Sequence, residues 1–293
     1  MIDEEEKEKI KKELERIKLL KNYEGEDRVV STLEMKDVVE EEKKKIVFSI
    51  PTPFKELTEC IEGFHNGQLI TIAGLSGEGK TSLCQTLTYH MVKNGYGALW
   101  FTYEVPEGEF LMRMPKLNEE IPVFAMPRKT KARDLDWLED RIIEAIIKSD
   151  KGKFPRPQAV FIDSIGFLFD EGIGSVHSAS LTIGSIVSKL KEIAIKYSVA
   201  IFITTNMVKN IKAKTPTGED IRDSGRLKDY SDIVLVTWRG KEKIGDTMCY
   251  IDNSYLLLDK NRWSGKYPRK PIELQYRDNL FQEFNPEKFD IDF

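Results

Sequence analysis

The stretch Gly74-Leu75-Ser76-Gly77-Glu78-Gly79-Lys80-Thr81 has the residue types and the order needed to hold phosphate. Glycines let consecutive backbone N–H groups close around phosphate oxygens where a Cβ would intrude. The lysine opposes the phosphate charge, and the hydroxyl beside it can ligate Mg2+. Gly74, Ser76, Gly77, Glu78 and Gly79, with Lys80, Thr81 and Ser82 opening the next element, are the expected phosphate contacts. Two carboxylates further along fit the same chemistry. Asp163 closes the apolar run Ala159-Val-Phe-Ile, where a strand-end carboxylate can hold Mg2+ opposite Thr81. Glu104 follows the apolar run 98–103, where a carboxylate can orient or deprotonate an attacking water. Its plain alternative is an exposed acid at a strand end.

These residues need a scaffold, and the hydrophobic pattern supplies one. Gln68–Ala73 is a short apolar run with β-branched residues and reads as a buried strand ahead of the glycine-rich loop. A helix from about Thr81 to Val92 would follow, its positive dipole end aimed at the same phosphates. Further strands are predicted at 98–103, 159–163, 199–205 and 232–238, and helices at 135–148 and 181–197. From Tyr250 onward the pattern predicts short strands and turns, including 256–259 and 272–276. Strands alternating with helices argue for an α/β fold, a mostly parallel sheet with helices on both faces.

The 293 residues carry 40% apolar and 32% charged side chains, with a formal net charge of −4. The surface as a whole therefore does not attract nucleic acid, and any such contact must come from local basic loops. Much of the excess charge lies in residues 1–46, a Glu/Lys-rich arm and linker with Ile10, Leu14, Ile17 and Leu20 at helical spacing. That stripe suits either a solvated helix or one that docks on a neighbouring subunit. Residues 47–293 read as the globular domain. Cys60, Cys84 and Cys249 are far apart and without metal spacing, as in a reduced, cytoplasmic protein. No leader-like apolar segment and no run of membrane-spanning length is visible, so no membrane association is expected.

Several blocks, in order, make the chain resemble the RecA-like motor domain of DnaB-family replicative helicases. Gly67–Gly74 with the phosphate loop is similar to that family's first motif. Phe101-Thr-Tyr-Glu104-Val-Pro106 is similar to its second, and Val160-Phe-Ile-Asp163 to its Walker B strand. Ile201–Asn206 resembles the strand ending in a polar γ-phosphate sensor, and the Asp220–Gly225 and Ser231–Val236 blocks fit as well. Asp259-Lys260-Asn-Arg262-Trp-Ser-Gly265 resembles the Lys-x-Arg element that reaches into a neighbour's ATP site. The likeness covers roughly residues 50–285.

The resemblance implies an ATP- and Mg2+-dependent hydrolase. Lys80, Glu104, Lys260 and Arg262 would be catalytic, Asn206 would contact ATP, and Thr81 and Asp163 would hold the metal. It also implies a homo-oligomeric ring, a hexamer, acting on single-stranded DNA in replication, with a primase or loader as partner. Lys209, Lys212 and Lys214 on one loop, and Ser175 in the Gly/Ser-rich loop 171–180, would meet DNA phosphates. A basic loop that is merely solvated is the alternative there. The 171–180 loop has no Lys or Arg, and a charged arm stands where that family has a helical N-terminal domain. These departures keep two rivals open, a RecA/RadA- or KaiC-like ATPase and a non-translocating ATP-binding replication accessory factor.

Overall fold

The computed structural model describes residues 4–25, 27–45, 49–130, 134–168, 176–208, 215–221, 224–244 and 247–284. Two compact units are formed, Met1–Val47 and Phe48–Phe293. The first holds α1 (Glu4–Lys21) and α2 (Lys36–Lys45). In α1 acids crowd the first turn and lysines the last, matching the helix dipole. No residue of α1 is buried, and Ile10, Leu14, Ile17 and Leu20 all stand exposed.

The second unit contains β1 (Ser49–Ile50), α3 (Lys55–Ile61), β2 (Phe64–His65), β3 (Leu69–Gly74), α4 (Lys80–Lys93), β4 (Gly97–Thr102) and α5 (Glu107–Met112). Next come α6 (Leu135–Asp150), β5 (Pro157–Asp163), α7 (Val176–Tyr197), β6 (Ala200–Asn206) and α8 (Ser224–Tyr230). β7 (Ile233–Ile244), β8 (Thr247–Asn261), β9 (Ile272–Arg277) and β10 (Leu280–Glu283) close the chain. Eight strands form one sheet in the order β10-β9-β8-β7-β3-β6-β5-β4. β7, β3, β6, β5 and β4 run parallel, and β8, β9 and β10 extend the sheet with antiparallel pairs. This is the architecture that the alternation of strands and helices predicts.

The central strands are buried on both faces, which is why they read as continuous apolar runs and not as alternating ones. Ile70 and Ile72 of β3 face α4, packing with Leu83, Leu87 and Met91. Leu69 and Ala73 face the other way, toward the layer that holds Ile142 of α6, Leu190 of α7 and Leu227 of α8. Trp100, Phe161 and Phe202 lie in register on adjacent strands and stack with ring centroids 4.8 and 4.6 Å apart. Phe64 meets Phe202 edge-on at 4.8 Å. Phe202→Ala removes the centre of this ladder and is expected to cost about 3–5 kcal/mol. Equilibrium unfolding in urea checks it, and an unchanged midpoint would mean that the neighbouring rings close the gap.

One expectation is corrected. β8 is a single 15-residue strand where short strands and turns were predicted. Its polar residues Asp252, Asn253 and Asp259 have weak strand propensity. Continuous pairing with β7 on one side and β9 on the other overrides it.

Candidate functional site

β3 ends at Gly74, in register with Asn206 at the end of β6. The chain leaves β3 for α4 on one face, whereas β6 is entered from α7 on the other. A crevice opens between two such strands at their carboxyl ends. The glycine-rich loop fills this position. Gly77 and Gly79 have φ of 80° and 88°, values that side chains rarely adopt. Gly79 caps α4, and a Cβ there would lie 2.8 Å from the Phe281 ring. Gly74 has no room either, since its Cβ would lie 2.6 Å from the Thr237 carbonyl.

Lys80 is the first residue of α4 and is buried. Its ammonium donates to Asn206 Oδ1 at 2.9 Å and to the carbonyls of Leu75 at 3.0 Å and Gly74 at 3.1 Å. Burial pulls its pKa below the ordinary lysine value, and the nearby charges of Glu104 and Asp163 oppose that pull. Thr81 Oγ1 donates to Asp163 Oδ2 at 2.6 Å, and Thr204 Oγ1 donates to Asp163 Oδ1 at 2.5 Å. The buried Asp163 carboxylate is thus held at both oxygens by hydroxyls.

The structure therefore brings Lys80, Thr81, Asp163 and Asn206 together, with Glu104 near enough to bear on Lys80. Strand β4 stops at Thr102, two residues before Glu104. Tyr103 N still donates to the Asp163 carbonyl at 2.7 Å, and the exposed Glu104 then sits on a turn ahead of α5. Ser76 and Gly77 are exposed at the loop tip, and Ser82 is partly buried in the first turn of α4.

The Glu78 side chain is turned away from the crevice. It is buried against the β7–β8 hairpin, accepting from the Arg239 backbone N–H, with Lys241 Nζ at 3.5 Å. Thr204 is the residue that pattern reading misses. Its only signal is a hydroxyl side chain in an apolar strand, beside the predicted Asp163 strand.

Lys260 and Arg262 lie elsewhere. Val234 pairs with Lys260 and Ile233 with Asn261, while Ile233 is level with Ile70 near the start of β3. At about 3.3 Å per residue, that level is roughly 15 Å from the loop along the strand direction. Both cations donate to the Asp229 carbonyl near the end of α8, at 3.1 and 2.8 Å. Arg262 remains largely exposed, whereas burial and the adjacent Arg262 charge lower the Lys260 pKa. Lys209, Lys212, Lys214 and Ser175 lie outside the described residues.

The DnaB-like helicase C terminal domain model matches residues 49–151. Among solved structures, a phage-type helicase's counterpart is not needed to see the likeness: a free-standing ATPase domain superposes with a TM-score of 0.65 at 16% identity, over 88% of this chain and 100% of that one. A DnaB-like replicative helicase, from a study of its interactions with primase, gives 0.64 at 17% identity, over 94% and 71%. This chain carries a RecA-like domain of the DnaB family. Among relatives, the probable replicative DNA helicase of Trieres chinensis is 24% identical over 274 residues, 83% of this chain and 58% of that protein. The replicative DNA helicase DnaB of Helicobacter pylori (strain 26695) is 22% identical over 231 residues, covering 70% and 47%. The chain spans about half the length of the curated relatives it matches. Among the described residues, no helix is long and apolar enough to cross a membrane.

Proposed function

We propose that this chain is an ATP-driven DNA helicase motor that works as a ring, a hexamer, on single-stranded DNA during replication. The observation that carries this reading is the division of chemistry between two edges of one sheet. Lys80, Thr81, Asp163 and Asn206 meet at the carboxyl edge, while Arg262 is level with the opposite one. An arginine so placed does not reach the phosphates of its own subunit, so a site needing it draws it from a neighbour.

In this mechanism the loop N–H groups and Lys80 bind the phosphates, and Lys80 exchanges its contact with Asn206 for phosphate oxygens. Asn206 is then free to sense the γ-phosphate. Glu104 accepts the proton of the attacking water. Thr81 and Asp163 fit Mg2+: a hydroxyl and one carboxylate are hard oxygen ligands of the kind that share this ion with substrate phosphates. Mg2+ bound there would neutralise charge on the transferring phosphoryl group. Arg262 and Lys260 of a neighbouring subunit complete the site. Lys209, Lys212, Lys214 and Ser175 would contact DNA, and a primase is a partner to test, given the primase work on the similar helicase.

Unwinding of forked DNA, with ATPase activity that rises on adding single strands, tests the reading. ATP turnover without unwinding of a fork of either polarity would favour the accessory ATPase. Replacing the three loop lysines with Ala should flatten the slope of log K against log salt by up to ~0.7 per lost single-strand contact. An unchanged slope would make that loop merely solvated.

A further inference from the structure

Beyond β4 the sheet gains one more short segment, where Ala125 N donates to the Ala98 carbonyl and Trp100 N to the Ala125 carbonyl, both at 2.9 Å. Between this segment and α6 lies a cavity of about 540 Å3, floored by Leu99 and Ala125. It is separate from the phosphate loop. Leu99 is in register, through Val160 and Ile201, with Leu69 at the start of β3, and β4 lies three strands away from β3.

The cavity combines two kinds of wall. Trp137 and Phe154 offer partly buried aromatic surface. Arg128, Lys129, Arg141 and Lys148 offer four cations against one carboxylate, Glu144. Glu144 is engaged by both Arg141 and Lys148. One donor is left over. Arg141 Nε is buried and has no hydrogen-bond partner among the described residues. A buried guanidinium N–H without an acceptor is costly, and an anionic ligand would relieve that cost. The volume is within the range of small-molecule sites.

We propose that this cavity binds a nucleotide unit, its phosphate on Arg141 with Arg128 and Lys129 at the mouth, and its base against Trp137. Aromatic surface beside clustered cations matches a planar base joined to a phosphate better than an inorganic anion, which would leave the aromatic wall unused. The unit can come from a free mononucleotide or from a single strand of nucleic acid, and the chemistry is the same.

The test uses the full chain carrying Lys80→Ala, so that the phosphate loop does not dominate the signal. It is titrated calorimetrically with AMP and, separately, with short oligo-dT. Binding is expected to persist in this background. It should weaken about tenfold or more in Arg141→Gln and also in the surface pair Arg128→Gln/Lys129→Gln, which spares the fold. Trp137→Leu should weaken AMP while leaving inorganic phosphate unchanged, a split that general loss of structure would not give. AMP binding that responds to these variants identifies a free nucleotide as the source. Oligo-dT binding alone, with the same response, identifies a strand. The proposal is overturned if neither probe binds, or if binding ignores both the Arg141 and the surface variants. It is also overturned if poly-glutamate competes with AMP equally well, because the cavity would then read charge alone.

Discussion

Arg262→Ala is expected to leave ATP binding nearly intact and to cut hydrolysis by about 10³–10⁵, the range for loss of an arginine finger. The folded domain should tolerate the change. Arg262 is largely exposed, and its side chain gives one hydrogen bond, to the Asp229 carbonyl, plus a 4.0 Å approach to Asp232. Lys260 still donates to the same carbonyl in the variant. Because strand register puts Arg262 level with the far edge of the sheet from its own loop, the effect should act in trans. Glu104→Gln alone should also bind ATP and hydrolyse it poorly, because an amide does not accept the proton of water. Mixing the two inactive variants recreates sites that pair an intact Glu104 with an intact Arg262, and part of the activity should return. A mixture that forms mixed assemblies and stays inactive would remove the shared site from the mechanism.

Lys80→Met should abolish nucleotide turnover, and steady-state ATPase measurements check it. Undiminished turnover would sink the phosphate-loop assignment. The same variant should not lower thermal stability in the absence of nucleotide. Burial already depresses the Lys80 pKa, so the folded state disfavours its charge. The sign follows. A lysine whose folded pKa lies below its unfolded value opposes folding while it is protonated in both states. That opposition fades as pH rises from the folded value toward 10.5. Methionine keeps the volume and removes the charge, a replacement that is often neutral or stabilising for buried ions. A melting temperature equal to or above wild type, together with lost turnover, would mark Lys80 as held for function at the expense of stability. A marked fall would mean that its bonds to Asn206, Gly74 and Leu75 outweigh its burial.

Local pattern makes much of this protein legible in its sequence. The loop at 74–81 declares itself because its glycines, lysine and threonine serve one chemistry at fixed spacing, between an apolar strand and a helix. β3, β4, β5 and β6 are readable because strands buried on both faces leave uninterrupted apolar runs. α6 is readable because its apolar residues repeat at helical period behind an Asp134 cap, whose carboxylate accepts from Trp137 N. The order of the strands is not written locally, and the site depends on it. Only with β6 beside β3 does Asn206 meet Lys80, and only with β5 beside β6 does Thr204 hold Asp163. Glu78, read as a phosphate contact, turns its side chain to the β7–β8 hairpin because that hairpin runs past the loop. The separation of Arg262 from Lys80 likewise follows from β8 running antiparallel beside β7. Residues that touch across strands far apart in sequence leave no periodic trace, since each strand's pattern records only that it is buried. Which neighbour buries it is decided by how the whole sheet packs.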